Sequence, residues 1–223
     1  MKRLTLLLAT VIMLSIIACA PGGKPEESVA PITPFKVFII KHPVADYNAW
    51  KAVFMANDSM RRAQGIFVRA VGRGIDDPNI VIAIDSIADL QKAREYETSP
   101  EVLAAMTKSG VTAPPTLAFI DVIRNDATPI PQKERVIVAH RVKDFDTWLK
   151  VFDREGKATR AAHGIVDRGM GREVGDPNMI YLVFAITDMA KAKARMESEE
   201  LKKLMTEAGV EGPQNSFLYT IQD

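Results

Sequence analysis

The feature that most constrains this chain is that it repeats itself. Displaced by 98 residues, His42-Pro43-Val44-Ala45-Asp46-Tyr47-Asn48-Ala49-Trp50 overlies His140-Arg141-Val142-Lys143-Asp144-Phe145-Asp146-Thr147-Trp148. Val53-Phe54 falls on Val151-Phe152, and Arg62-Ala63 on Arg160-Ala161. One inserted residue then makes the offset 99, at which Gly65-Ile66, Gly72-Arg73 and Asp77-Pro78-Asn79 meet Gly164-Ile165, Gly171-Arg172 and Asp176-Pro177-Asn178. Colinear identity over this length, both tryptophans included, implies two copies of one supersecondary unit. The copies are expected over residues 35–124 and 135–223, joined by 125–134, which contains Pro129 and Pro131.

Each copy reads as alternating strands and helices. Phe38–Ile40 and Val136–Val138 are short runs of β-branched and aromatic residues, the mark of a strand. Asp46 and Asp144 follow as N-caps, because a short carboxylate accepts hydrogen bonds from the free amides of a first turn. Behind them Tyr47, Trp50 and Phe54, and in the second copy Phe145, Trp148 and Phe152, recur on one helical face. Gly65 and Gly164 suit the left-handed residue that ends such a helix. Strands are predicted over 66–71 and 165–170, a turn at each Asp-Pro-Asn, and further strands over 80–84 and 179–184. Helices follow over 89–96 and 99–109, with Ser99 as cap and Pro100 in the first turn. A last strand is expected over 117–123 and again over 217–221. The order β-α-β-β-α-β is the ferredoxin-like split arrangement, an antiparallel sheet with both helices on one face. The bare face of each sheet needs cover. The expectation is therefore an α+β chain of two tandem ferredoxin-like repeats, their sheets packed face to face as an intrachain pseudo-dimer.

Ahead of the repeats, Lys2-Arg3 precedes an apolar run from Leu4 to Ala18. As a helix it would span roughly 22 Å, short of the ~30 Å hydrocarbon core, so it reads as a signal over 1–18 rather than a membrane span. Its ending, Ile16-Ile17-Ala18-Cys19, resembles a bacterial lipobox, which implies a lipid on Cys19. Residues 19–34, rich in proline and glycine, read as a tether. The expected location is the cell envelope, lipid-anchored to a bacterial membrane: the outer membrane, or the periplasmic face where there are two membranes. Lys+Arg number 29 against 28 Asp+Glu, with no basic block, which argues against a nucleic-acid partner. A single cysteine excludes an internal disulfide and any Cys-based zinc site.

The repeated pattern His-x-Val-x-Asp-[Tyr/Phe]-[Asn/Asp]-x-Trp-x-x-Val-Phe, followed by Gly, Arg and Asp-Pro-Asn, resembles the dimeric α/β-barrel proteins. Within them it is most similar to the antibiotic-biosynthesis-monooxygenase-like and cyclase-like domains. The resemblance covers nearly all of residues 35–223 and implies a dimer fused into one polypeptide. That superfamily includes cofactor-free oxygenases, haem-degrading enzymes and lactone isomerases. Since this sequence has no Gly-rich phosphate loop, HExxH or cysteine–histidine pair, no cofactor and no metal are expected. His42 and His140 end the first strand of each copy, at the expected mouth of the hollow between the sheets, and are candidate proton acceptors. Trp50 and Trp148 are candidate ligand-stacking residues, although their helical spacing also fits core packing. Arg69 and Arg168, like Arg73 and Arg172, flank a hairpin and are candidate anion-binding groups. The resulting expectation is an envelope protein that binds a small, largely apolar molecule. The alternatives are a cofactor-independent oxygenase or isomerase acting on an aromatic or polyketide-like substrate, and a structural or interaction module without a pocket.

Overall fold

A computed structural model describes residues 35–222. The signal, Cys19 and the tether lie outside the described residues.

The first half runs β1 (Phe35–Pro43), α1 (Tyr47–Ala56), α2 (Asp58–Ala63), β2 (Ile66–Gly74), β3 (Ile80–Ile87), α3 (Leu90–Glu97), α4 (Pro100–Lys108) and β4 (Thr116–Asn125). The second runs β5 (Glu134–Val142), α5 (Phe145–Ala162), β6 (Ile165–Glu173), β7 (Asp176–Ile186), α6 (Met189–Glu197), α7 (Glu199–Glu207) and β8 (Val210–Gln222). The N-caps are those expected: Asp46 accepts from Ala49 N at 2.7 Å, and Asp144 from Thr147 N at 2.8 Å. Gly65 and Gly164 adopt φ of +73° and +74°, where an L side chain would be strained.

The sheets do more than face each other. All eight strands are antiparallel and close into one barrel in the order β1-β3-β2-β8-β5-β7-β6-β4. The seams are β2 with β8 and β4 with β6, so each half supplies one strand to each seam. Closure leaves none of the eight described strands at a free sheet edge along its whole length, although the β2–β8 seam pairs only Val71 to Gly74. The barrel therefore has two buried surfaces. Val37, Ile39, Ile82, Ile120, Ile137 and Tyr219 line the lumen. Phe38, Ile40, Ile66 and Ala83 point outward against the helices of the first half, and Val136, Ile165, Ile180 and Phe184 against those of the second.

Two expectations about the repeat change. The second Asp-Pro-Asn is not a turn: Asp176 opens β7, and the reversal occurs just before it, at Gly175, with φ +91°. The equivalent of Arg160 is Arg61 rather than Arg62. Both are buried, both lie 3.8 Å from the ring of the preceding phenylalanine (Phe54 or Phe152), and both donate to that residue's carbonyl. The inserted residue therefore lies between Phe152 and Arg160, where Gly156 (φ +80°, ψ 154°) breaks α5.

Candidate functional site

His42 and His140 do not face the barrel lumen, contrary to the expected placement at its mouth. Side chains alternate along a strand. Since Ile39 and Lys41 turn inward, Ile40 and His42 turn outward, beneath the helices. The same alternation puts Val138 and His140 under the helices of the second half. Each histidine there meets a tryptophan, with ring centroids 5.7 Å apart in both halves. Trp50 then stacks on Phe54 at 4.8 Å, and Trp148 on Phe152 at 5.1 Å, one helical turn on. The arginine over that phenylalanine completes a column of His, Trp, Phe and Arg in each half. Trp50 and Trp148 are 3% exposed, so they pack the core while walling a cavity.

The cavities differ. That of the first half holds about 80 Å³, between His42, Trp50, Arg61, Asp85 and Glu97. That of the second holds about 250 Å³ between Val138, His140, Trp148, Phe152, Leu204 and Met205. In the second, Arg160 makes a bidentate pair with Asp167, both bonds at 2.7 Å, and reaches Glu155 at 3.1 Å. Glu155 also accepts from Arg195 at 2.7 Å. Two lining groups keep unsatisfied atoms: Arg195 Nε has no partner, and His140 has none at either ring nitrogen, its pKa pushed down to about 4 by burial. The imidazole is therefore neutral at pH 7 and offers one donor and one acceptor.

The first cavity has the opposite electrostatics. Arg61 donates to Phe54 O at 2.6 Å and lies 3.4 Å from Asp58. Asp85 Oδ1 and Glu97 Oε2 are buried without partners. Burial is the main cause that raises Asp85 to about 6 and Glu97 to about 8, and Asp85 lifts Glu97 further. His42 is also shifted down by burial, opposed by a hydrogen bond with the Pro43 backbone. Among the described residues, no group of three or more His, Cys, Asp or Glu side chains is placed to hold a metal ion.

The four hairpin arginines separate. Arg73 and Arg172 lie over the Tyr47 and Phe145 rings, at 4.2 and 4.4 Å, on the helix side. Arg69 and Arg168 line a different hollow inside one end of the barrel. The candidates thus fall on two faces of the sheet. Arg61, Arg160, Asp85, Glu97 and Glu155 were missed altogether. Asp85, inside the apolar run Ile80–Ile87, was the readable signal, since a charge on a strand buried on both faces needs a reason.

A helix-backed barrel of two ferredoxin-like sheets is the architecture of the monooxygenase-like α+β barrels, and solved structures of that kind match this chain in fold. An anthrone oxidase-like protein superposes with a TM-score of 0.58 at 12% identity, covering 85% of this chain and 92% of that one. A proposed monooxygenase of Fusobacterium nucleatum gives 0.57 at 11%, covering 85% and 93%. Another, of Lactobacillus acidophilus, gives 0.52 at 15%, covering 84% and 94%. No protein-family model matches the chain, and no curated protein does.

Proposed function

We propose that the protein binds a small, largely apolar molecule in the helix-side cavity of its second half, and that a lipid on Cys19 tethers it to the bacterial envelope. One observation carries the binding reading: a cavity of about 250 Å³, walled by Trp148, Phe152, Leu204 and Met205, in which His140 has both nitrogens unpartnered. Sites of this kind orient an apolar body with a few polar contacts. A ligand carbonyl or hydroxyl would satisfy an imidazole that the fold leaves unsatisfied.

Cofactor-independent oxygenation or isomerisation is the second reading. It is favoured by that imidazole beside an aromatic wall and by the fold shared with an anthrone oxidase-like protein. General bases work best with a pKa near the working pH, and a group pushed down to about 4 is a weak proton acceptor, so binding is preferred.

The test is titration of the Trp50→Phe protein with an apolar aromatic probe, followed by Trp148 fluorescence. Saturable quenching is expected. Leu204→Phe should abolish it by filling the cavity, and His140→Leu should weaken it about fivefold, as loss of one hydrogen bond does. Absence of saturation would overturn the reading. Oxygen uptake with dihydroxy-aromatic compounds separates the two readings: consumption that is lost in His140→Leu would favour catalysis.

A further inference from the structure

On the other side of the sheet, inside the end of the barrel where β1 begins and β8 finishes, lies a second hollow of about 250 Å³. Three arginines line it, and the fold goes out of its way to put them there. The β2–β3 register slips between Val68 and Ala70, and the β6–β7 register between Asp167 and Gly169. Arg69 and Arg168 are the bulged residues, and a bulge re-aims a side chain that strict alternation would send elsewhere. Arg135 enters from β5 on the parity of Ile137 and Ala139, which face the lumen.

The charges around this hollow do not balance. Arg135 is 8% exposed; its Nη1 donates to the carbonyls of Gln132 and Glu134 at 2.8 and 2.9 Å, and it forms no ion pair among the described residues. Burial is the main cause that lowers its pKa; Tyr219 opposes this, the neighbouring Arg168 adds to it, and Glu134 opposes it least. Arg168 donates to Thr128 O at 2.7 Å and lies 3.6 Å from Asp126 at the rim. Arg69 rests on the Phe35 ring at 4.8 Å. Three cations thus face one lining carboxylate. The deeper walls are apolar, formed by Val37, Ile84, Ile120 and Val183.

A buried guanidinium without a counter-ion, set beside a like charge, is unfavourable unless something negative joins it. Guanidinium forks match the two oxygens of a carboxylate or phosphate. We propose that this end of the barrel binds an organic oxyanion, its carboxylate or phosphate head held by Arg69, Arg135 and Arg168 and its short apolar body in the lumen. The volume falls below the ~300–1,000 Å³ of usual small-molecule sites, so the ligand is short. The site is independent of the helix-side cavity and of its proposed function.

Calorimetry on the full-length protein tests this with octanoate, octyl phosphate, octanol and inorganic phosphate. Octanoate or octyl phosphate should bind saturably, and the tighter of the two identifies the head. Octanol and inorganic phosphate should each bind at least tenfold more weakly, for want of the charge or of the body. Arg168→Gln and Arg135→Gln should each lose about tenfold in affinity, as expected for a charged hydrogen bond. Arg69, exposed at the rim, provides a variant that keeps the fold, and Arg69→Gln should lose affinity with an unchanged circular dichroism spectrum. Equal binding of octanol, equal binding of inorganic phosphate, or full octanoate affinity in Arg69→Gln would each overturn the proposal.

Discussion

The two halves place the same column of His, Trp, Phe and Arg on the same fold, and then treat its arginine differently. In the second half Arg160 is held by Asp167 and Glu155. In the first, the strand position equivalent to Asp167 is Val68, and Arg61 instead lies near Asp85 and Glu97, which occupy the positions of Phe184 and Met196. One cavity is thus wide and charge-balanced behind an apolar wall, while the other is small and holds two acids, each with a buried oxygen that has no hydrogen-bond partner. Shape in this fold comes from the shared stripe; the chemistry of each hollow comes from the few charges laid beside it.

The largest expected effect breaks the balance in the second half. Glu155 holds two buried arginines, Arg160 and Arg195, each about 3% to 6% exposed in its side chain. Glu155→Leu leaves Arg160 with Asp167 and Arg195 with the exposed Glu200, but strands a buried donor on each. It should cost about 5 kcal/mol in urea denaturation, roughly 2.5 for each charged hydrogen bond lost. Its counterpart, Asp58→Ala beside Arg61, should cost far less, since Asp58 is a surface carboxylate and Arg61 keeps its bond to Phe54 O. Equal costs would mean that the halves do not differ as described.

Next in size is a pH dependence of opposite sign in the two halves. Glu97 carries a pKa raised from 4.5 to about 8 by burial and by Asp85, and Asp85 is itself raised from 3.8 to about 6. The folded state therefore keeps protons that the unfolded chain releases, and this contribution to stability falls as pH rises from about 4.5 to about 8. Glu97→Met, the residue of the second half, should raise stability at pH 8.5 by roughly 4 kcal/mol and leave it little changed near pH 4. His140 runs the other way. Its pKa is depressed from 6.5 to about 4, so the unfolded chain takes up protons first and stability is lost as pH falls from 6.5 to 4. Relative to the native protein, His140→Phe should gain roughly 3 kcal/mol between pH 7 and pH 4. Difference curves of urea stability against pH, variant minus native, check both signs.

How much of this was readable beforehand follows from where the charges sit. Caps and glycine-ended helices are local devices, so Asp46, Asp144, Ser99, Gly65 and Gly164 could be placed from their neighbours alone. The side of the sheet on which His42 lies could not. Val37-Phe38-Ile39-Ile40 is apolar without alternation because lumen and helices bury both faces, and an unbroken run carries no parity. Taking Asp85 as the end of an apolar strand cut β3 at Ile84, whereas it continues to Ile87 with the carboxylate buried. The insertion was displaced because adjacent arginines, Arg61 and Arg62, look alike in sequence; only packing on Phe54 distinguishes them.

The smallest expected effect concerns that insertion. Gly156 has φ +80° and ψ 154°, a region open almost only to glycine, and no atom lies within 4 Å of the Cβ an alanine would add. Any cost of Gly156→Ala therefore comes from backbone strain alone, about 2 kcal/mol. Asn57, at the helix break of the first half, has φ −93° and ψ 11°, which any residue adopts, so Asn57→Ala should lose only the hydrogen bond to Val53 O, about 1 kcal/mol or less. The break in α5 has a further role. Glu155 stands two turns beyond Trp148 on the same face, and the glycine lets the chain restart so that Arg160 returns over Phe152 and meets it. If so, Gly156→Ala should also loosen the Arg160–Glu155 contact and lower affinity for the aromatic probe, whereas Asn57→Ala should leave probe binding unchanged. A strain cost without any loss of probe binding would reduce the glycine to a mere helix break.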